Sequence, residues 1–197
     1  MAYFDIKKYR QPENEINPLL LNRWSPRALS GEAITDEELH SLFEAAKWAP
    51  SSFNNQPWRF IYAKNNSVHW EKLFSLLTAN NQSWVKRAAV LVLIITKQTF
   101  DYNGSPDTTA TFSAGAAWEN LALEATSRGL IAHAMVGFDL ERARAEYKIP
   151  ADYKVEALVA IGRPGKKEEL SEQQQAVEFP SDRKKLKEII SEGEFKF

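Results

Sequence analysis

Cysteine is absent from the 197 residues. That excludes a thiol nucleophile, a cysteine-based zinc site and an iron–sulfur cluster, and it suits a reducing compartment. An excess of basic charge is also missing. The formal net charge of −1 lacks the basic balance of a nucleic-acid footprint. Long apolar runs are lacking too: the longest, "AAVLVLII" at 88–95, is far short of the ~20 residues that span a bilayer. The opening "MAYFDIKKYRQPENEINPLL" has no apolar stretch of signal-peptide length, so the expectation is a soluble, cytoplasmic protein.

Catalytic signatures are equally sparse. Neither G-x-G-x-x-G nor G-x-x-x-x-G-K occurs, and no G-x-S-x-G elbow is present. The histidines, His40, His69 and His133, lack metal-ligand spacing; His133, in "LIAHAM", reads as a satisfied histidine near a strand end. With hydrolase and metal chemistry unsupported, an enzyme of this composition would rely on a bound cofactor.

What is present reads as one domain, 1–197, with residues 1–20 as an N-terminal arm. A chain of this length can bury roughly 70% of its unfolded surface without disulfides. "TDEELHSLFEAAKWAP" opens with Thr35 and Glu38 as a capping box, then sets Leu39, Leu42, Phe43 and Ala46 on one helix face before Pro50. "WRFIYA", "AAVLVLIIT", "LIAHAMVG" and "KVEALVAIG" read as strands, the second buried on both faces. Helices are expected over 68–80, 111–129 and 139–149, and over the charged end "SDRKKLKEIISEG". Their alternation with strands predicts a helix-covered sheet of four or five strands.

Three stretches carry more polar chemistry than folding requires. "RWSPR" places Arg23, Ser25 and Arg27 at alternate positions, on one side of an extended segment. Two guanidiniums and a hydroxyl so placed form an anion receptor, though the stretch also reads as an ordinary salt-bridged surface. "PSSFNNQPW" at 50–58 crowds hydroxyls and amides between two prolines; alone it also reads as a helix-to-strand turn with Asx hydrogen bonds. "ANNQSW" at 79–84 is another amide cluster, with a helix C-cap loop as its plain reading.

Taken jointly with "GAAWENLALEATSRGL" before "AHAMVGFD", these stretches closely resemble the FMN-dependent nitroreductase family, in order from about residue 20 to about residue 185. The resemblance implies an α+β protein with a helix-covered mixed β-sheet, forming an intertwined homodimer with FMN at the interface. It implies that Arg23, Ser25 and Arg183 hold the FMN phosphate, and that Arg27 is a cation at the pyrimidine edge of the flavin. Ser51, Ser52 and Asn54 match residues reaching the partner's FMN. Gln56 joins them as ligand or turn residue, and Trp58 as core packing. Asn81 matches an amide bonded to the pyrimidine ring; Met135, Val136 and Gly137 match the segment near N5, with the Gly137 backbone N–H as the N5 contact. No residue is implied as an obligatory acid or base.

The implied activity is ping-pong hydride transfer from NADH or NADPH to nitroaromatics, quinones or similar electron-poor acceptors. Alternatives are reduction of an enone, a halogenated aromatic or another flavin; a flavin-sequestering module without turnover; or an interaction protein with no cofactor. Three positions depart from some family members: Val136 replaces a glutamate, Ser181 a phosphate-binding lysine and Trp84 a lysine. The small residues at 113–117 fit either a close dimer contact or packing within the chain, and Trp118 reads as core.

Overall fold

In the computed structural model, which describes residues 5–197, the strands are β1 (Trp58–Lys64), β2 (Val90–Lys97), β3 (Ile131–Met135) and β4 (Tyr153–Gly162). They lie in the order β1-β2-β4-β3, and every neighbouring pair is antiparallel. The sheet is therefore antiparallel, not mixed. The helices are α1 (Pro18–Asn22), α2 (Asp36–Lys47), α3 (Trp70–Phe74), α4 (Ala79–Val85), α5 (Ala110–Ser127), α6 (Leu140–Glu146) and α7 (Glu172–Ala176).

The helix expected over 68–80 is also interrupted. The backbone at 76–78 bonds elsewhere: Thr78 N–H donates to Gly137 O at 3.0 Å, and Leu76 O accepts from Asp139 N–H at 2.9 Å. The segment splits into α3 and α4, an out-and-back pair, and β2 begins beside the end of β1, with Lys64 opposite Val90. The amide-rich stretch 79–84, read as a loop, thus lies wholly within α4.

β2 explains why its run has no polar alternation. Leu91, Leu93 and Ile95 enter one apolar cluster with Trp70, Leu73, Trp84 and Ala143; Val90, Val92 and Ile94 enter another with Leu39, Leu42, Ala117 and Leu121. Helices cover both faces, so successive side chains are buried on opposite sides. A register shift between Ile94 and Ile95 inserts an extra residue in β4, with Ile94 opposite Ala157 and Ile95 opposite Val155. That bulge lets Val155 and Leu158 share one face despite odd spacing.

The α2 capping box forms as expected between Thr35 and Glu38. On α5, Ser113, Ala114 and Ala117 are buried within the chain, and Asn120 Nδ2 donates to Ala45 O of α2 at 3.1 Å. Trp118 packs at the edge of that cluster. Gly129, at φ +70°, follows α5 in the left-handed conformation that glycine adopts freely.

The expected helix over 181–193 is absent; only Leu186–Glu188 forms a 3₁₀ turn. Leu186, Ile189 and Ile190 remain exposed, so no apolar face is buried, and packing supplies most helical stability. The arm lies against this C-terminal region: Tyr9 stacks on Phe179 with centroids 5.9 Å apart. Among the described residues, no helix is long and apolar enough to cross a membrane.

Candidate functional site

Arg23 caps the C-terminus of α1, its N–H bonded to Leu19 O, and the chain then runs extended through Ser25 and Arg27. Arg23 Nη1 lies 3.3 Å from Ser25 Oγ, and its Nε is 3.9 Å from Glu119 on α5. Residues of the opposite parity, Trp24, Pro26 and Ala28, line a cavity of about 180 Å³ together with Leu130, Ile131 and Pro164. The segment therefore alternates as an extended strand should, with its apolar side toward the cavity.

Two more guanidiniums converge on Arg23. Arg10 is buried and donates to Ser181 O at 2.9 Å, Leu21 O at 2.6 Å and Arg23 O at 2.7 Å. Arg183 Nη1 donates to Ser181 O, Ser181 Oγ and Asp182 O. Burial first, then the positive charges of Arg183 and Arg23, hold the Arg10 pKa below its ordinary value. Burial also lowers the Arg23 pKa; Glu119 opposes this and Arg183 reinforces it. Such mutual repulsion is what an anion would relieve. Arg10 was missed by sequence reasoning: "KKYRQP" offers nothing that separates it from a surface charge.

Arg27 leads elsewhere. Its N–H and that of Ala28 both donate to Glu178 Oε1, at 2.7 and 2.8 Å, and its Nη1 lies 3.8 Å from Glu178 Oε2. Glu178 was also missed: "QQQAVEFP" offers nothing that marks it as buried.

Pro26 connects this region to β3. His133 Nδ1 lies 3.0 Å from Pro26 O; a carbonyl only accepts, so Nδ1 carries the proton. The ring packs against Trp84 with centroids 4.7 Å apart. Burial, opposed by the Pro26 bond and aided by the charges of Arg27 and Arg23, lowers its pKa to about 4. His133 is thus a satisfied, neutral histidine at physiological pH, as its apolar setting suggests.

Trp84 and Asn81 sit three residues apart on α4, hence on neighbouring positions of one face. Asn81 Nδ2 donates to Gly137 O at 3.0 Å. A side chain at 137 would place its Cβ 2.5 Å from Asn81 Nδ2, so any larger residue would have to displace the amide. Met135 is buried at the end of β3, and Val136 is exposed. Among the described residues the Gly137 N–H makes no hydrogen bond. Arg23, Ser25 and Arg183 are thus gathered together, Arg27 continues from them, and the Pro26–His133–Trp84 contacts join them to Asn81 and Gly137.

Ser51, Ser52, Asn54 and Gln56 are not part of that gathering. They precede β1, at the opposite edge of the sheet from β3, three strand spacings or about 14 Å away. Phe53, Asn54 and Gln56 have φ of 49°, 53° and 48°, a conformation costing roughly 1–2 kcal/mol for each residue other than glycine. Asn55 anchors the loop. Its Nδ2 donates to Asp107 Oδ2 at 2.8 Å, and its Oδ1 accepts from Asp101 N–H at 3.0 Å. Gln56 serves the turn, with its N–H bonded to Ser51 Oγ and its Nε2 to Asn54 O. The Asn54 side chain is exposed and makes no hydrogen bond among the described residues.

The sequence model of the Nitroreductase family matches residues 20–163, most of the chain. The chain belongs to the nitroreductase family. Protein DrgA of Synechocystis is 32% identical over 165 residues, covering 68% of this chain and 79% of that protein. A Rhodopseudomonas palustris protein provisionally named NADH dehydrogenase/NAD(P)H nitroreductase is 25% identical over 169 residues, covering 77% and 86%. A crystal structure of an oxidoreductase containing FMN superposes with a TM-score of 0.91 at 41% identity, covering 95% of this chain and 96% of that one.

Two of the departures noted in the sequence acquire surroundings in the structure. Trp84 is buried against His133, so it serves packing. Ser181 gathers both Arg10 and Arg183 through its carbonyl.

Proposed function

We propose that this nitroreductase-family chain is a homodimeric FMN-dependent oxidoreductase that takes electrons from NADH or NADPH and reduces electron-poor acceptors such as nitroaromatics or quinones. The reading treats residues 1–197 as one FMN-binding unit. The observation that carries it is the convergence of Arg10, Arg23 and Arg183 beside Ser25, continuous through His133 with the bare backbone at Gly137.

The residues fit the cofactor. A phosphate dianion would relieve the repulsion among the guanidiniums, with Arg23, Ser25 and Arg183 as its ligands. Arg10 would support them from behind, since its donors are committed to carbonyls. Arg27 would face the pyrimidine edge, where Asn81 could also bond the ring. The free Gly137 N–H fits a contact to N5. FMN, when bound, supplies two-electron chemistry, accepting a hydride equivalent from nicotinamide and passing it to the acceptor. The chain's contribution is to bind, orient and tune.

The remote position of Ser51, Ser52 and Asn54 supports a site shared between two copies. So does the exposure of large apolar side chains around that edge: Trp48 at 74%, Phe53 at 80% and Phe112 at 84%. The backbone strain at 53–56 is of the kind found where a loop is shaped for a ligand. Among the readings left open, turnover is favoured over flavin sequestration because Val136, within the proposed N5 segment, is exposed and carries no bulky cover.

Initial-rate kinetics with varied NADH or NADPH and varied quinone test the proposal. Parallel double-reciprocal lines are expected for one shared face used in turn. Intersecting lines would contradict the ping-pong order, and no turnover by FMN-loaded protein would favour sequestration.

A further inference from the structure

Glu178 is the least exposed carboxylate among the described residues, at 1%, and its bonding is lopsided. Oε1 accepts two consecutive backbone N–H groups, those of Arg27 and Ala28. Oε2 is buried and has no hydrogen-bond partner among the described residues. Its cationic neighbour is the Arg27 guanidinium, at 3.8 Å, about 1 Å beyond a charge-assisted hydrogen bond. The Arg27 side chain keeps 32% exposure. One carboxylate therefore both fixes the backbone from which Arg27 projects and stands behind its charge without capturing it.

An arginine at the pyrimidine edge stabilises the negative charge that two-electron reduction places near N1 and the C2 carbonyl. A buried carboxylate behind that arginine works against it, by drawing the guanidinium back toward itself and away from the ring edge. We infer that Glu178 is a positioning residue that sets how much of the Arg27 charge a bound flavin feels, and so the preference of the site for reduced over oxidised FMN. The inference rests on the proposed placement of FMN beside Arg27.

The test is the two-electron midpoint potential of FMN in the holoprotein, measured against a reference dye. Glu178→Gln retains an oxygen for the two N–H groups and removes the charge. It is expected to shift the ratio of oxidised to reduced dissociation constants about tenfold toward the reduced cofactor, raising the potential by about 30 mV. Glu178→Asp, which withdraws the charge by one methylene, should move it the same way by less. In an Arg27→Met background the Glu178→Gln shift should largely vanish, because the effect runs through the guanidinium.

No shift in the presence of Arg27, or an equal shift in its absence, overturns the inference. So does failure of both Glu178 variants to give folded, FMN-bound protein, which would make the residue structural. Wild-type protein that binds no FMN would instead sink the functional reading beneath it.

Discussion

The imidazole Nδ1–H of His133 and the carbonyl oxygen of Pro26 are 3.0 Å apart, joining β3 to the arginine-bearing segment across 107 positions of sequence. Burial first, and then the positive charges of Arg27 and Arg23, disfavour an added proton, more than the Pro26 bond favours it.

This fixes the sign of one pH dependence. The unfolded histidine titrates near 6.5 and the folded one near 4, so between those values the unfolded state holds the extra proton. The stabilisation is fully present above pH 6.5 and is lost as pH falls through about 4. About 2.5 pH units correspond to roughly 3 kcal/mol. Urea unfolding of wild type and His133→Asn from pH 7 to 4 should show the loss of stability across that range smaller in the variant by about that amount; parallel curves would contradict it.

Arg23 and Arg10 should separate by phenotype. Arg23→Ala removes a ligand of the proposed phosphate site and should weaken FMN binding by roughly 1.5–3 kcal/mol. Arg10→Ala removes the donors to three carbonyls, two near one end of α1 and one at Ser181, and should lower stability by at least about 2 kcal/mol. Lysine at position 10 should rescue poorly, because its single ammonium cannot reproduce the planar fork. Fluorescence titration with FMN and chemical denaturation distinguish the two effects.

The adjacent amides Asn54 and Asn55 should also differ. Asn55→Ala leaves Asp107, which is buried, without one of its donors and should cost about 2–3 kcal/mol of stability. Asn54→Ala should leave unfolding within about 0.5 kcal/mol of wild type yet weaken FMN binding by about 1 kcal/mol. If Asn54→Ala fails to fold, the side chain serves the turn and its proposed role is withdrawn.

Gly137→Ala drives a methyl to within 2.5 Å of Asn81 Nδ2. Displacing the amide should cost about 1–3 kcal/mol of stability and weaken FMN binding. Adding Asn81→Ala to the glycine variant should recover stability, since the clash then has no partner. Absence of that recovery would mean the strain lies in the backbone.

Each strand and the capped α2 were legible because periodicity and capping chemistry are local. The break between α3 and α4 was not, because it depended on whether residues 76–78 kept their helical bonds or gave them to Gly137–Asp139. Nothing within 68–80 announces that choice. The C-terminal helix failed for the complementary reason: its apolar residues find no surface to cover. At the site, Arg23, Ser25, Asn81 and Gly137 stood out by motif, whereas Arg10 and Glu178 owe their importance to burial alone. The resemblance singled out Asn54 and passed over Asn55; the fold adds that Asn55 is tied to Asp107 while Asn54 projects outward.

The most direct test of the central claim is the visible spectrum of purified, FMN-reconstituted protein under anaerobic NADH and then NADPH. The account predicts protein-bound flavin absorption that bleaches with at least one donor and returns when a quinone is added. A protein that binds no flavin after reconstitution, or whose bound flavin neither donor reduces, would contradict it.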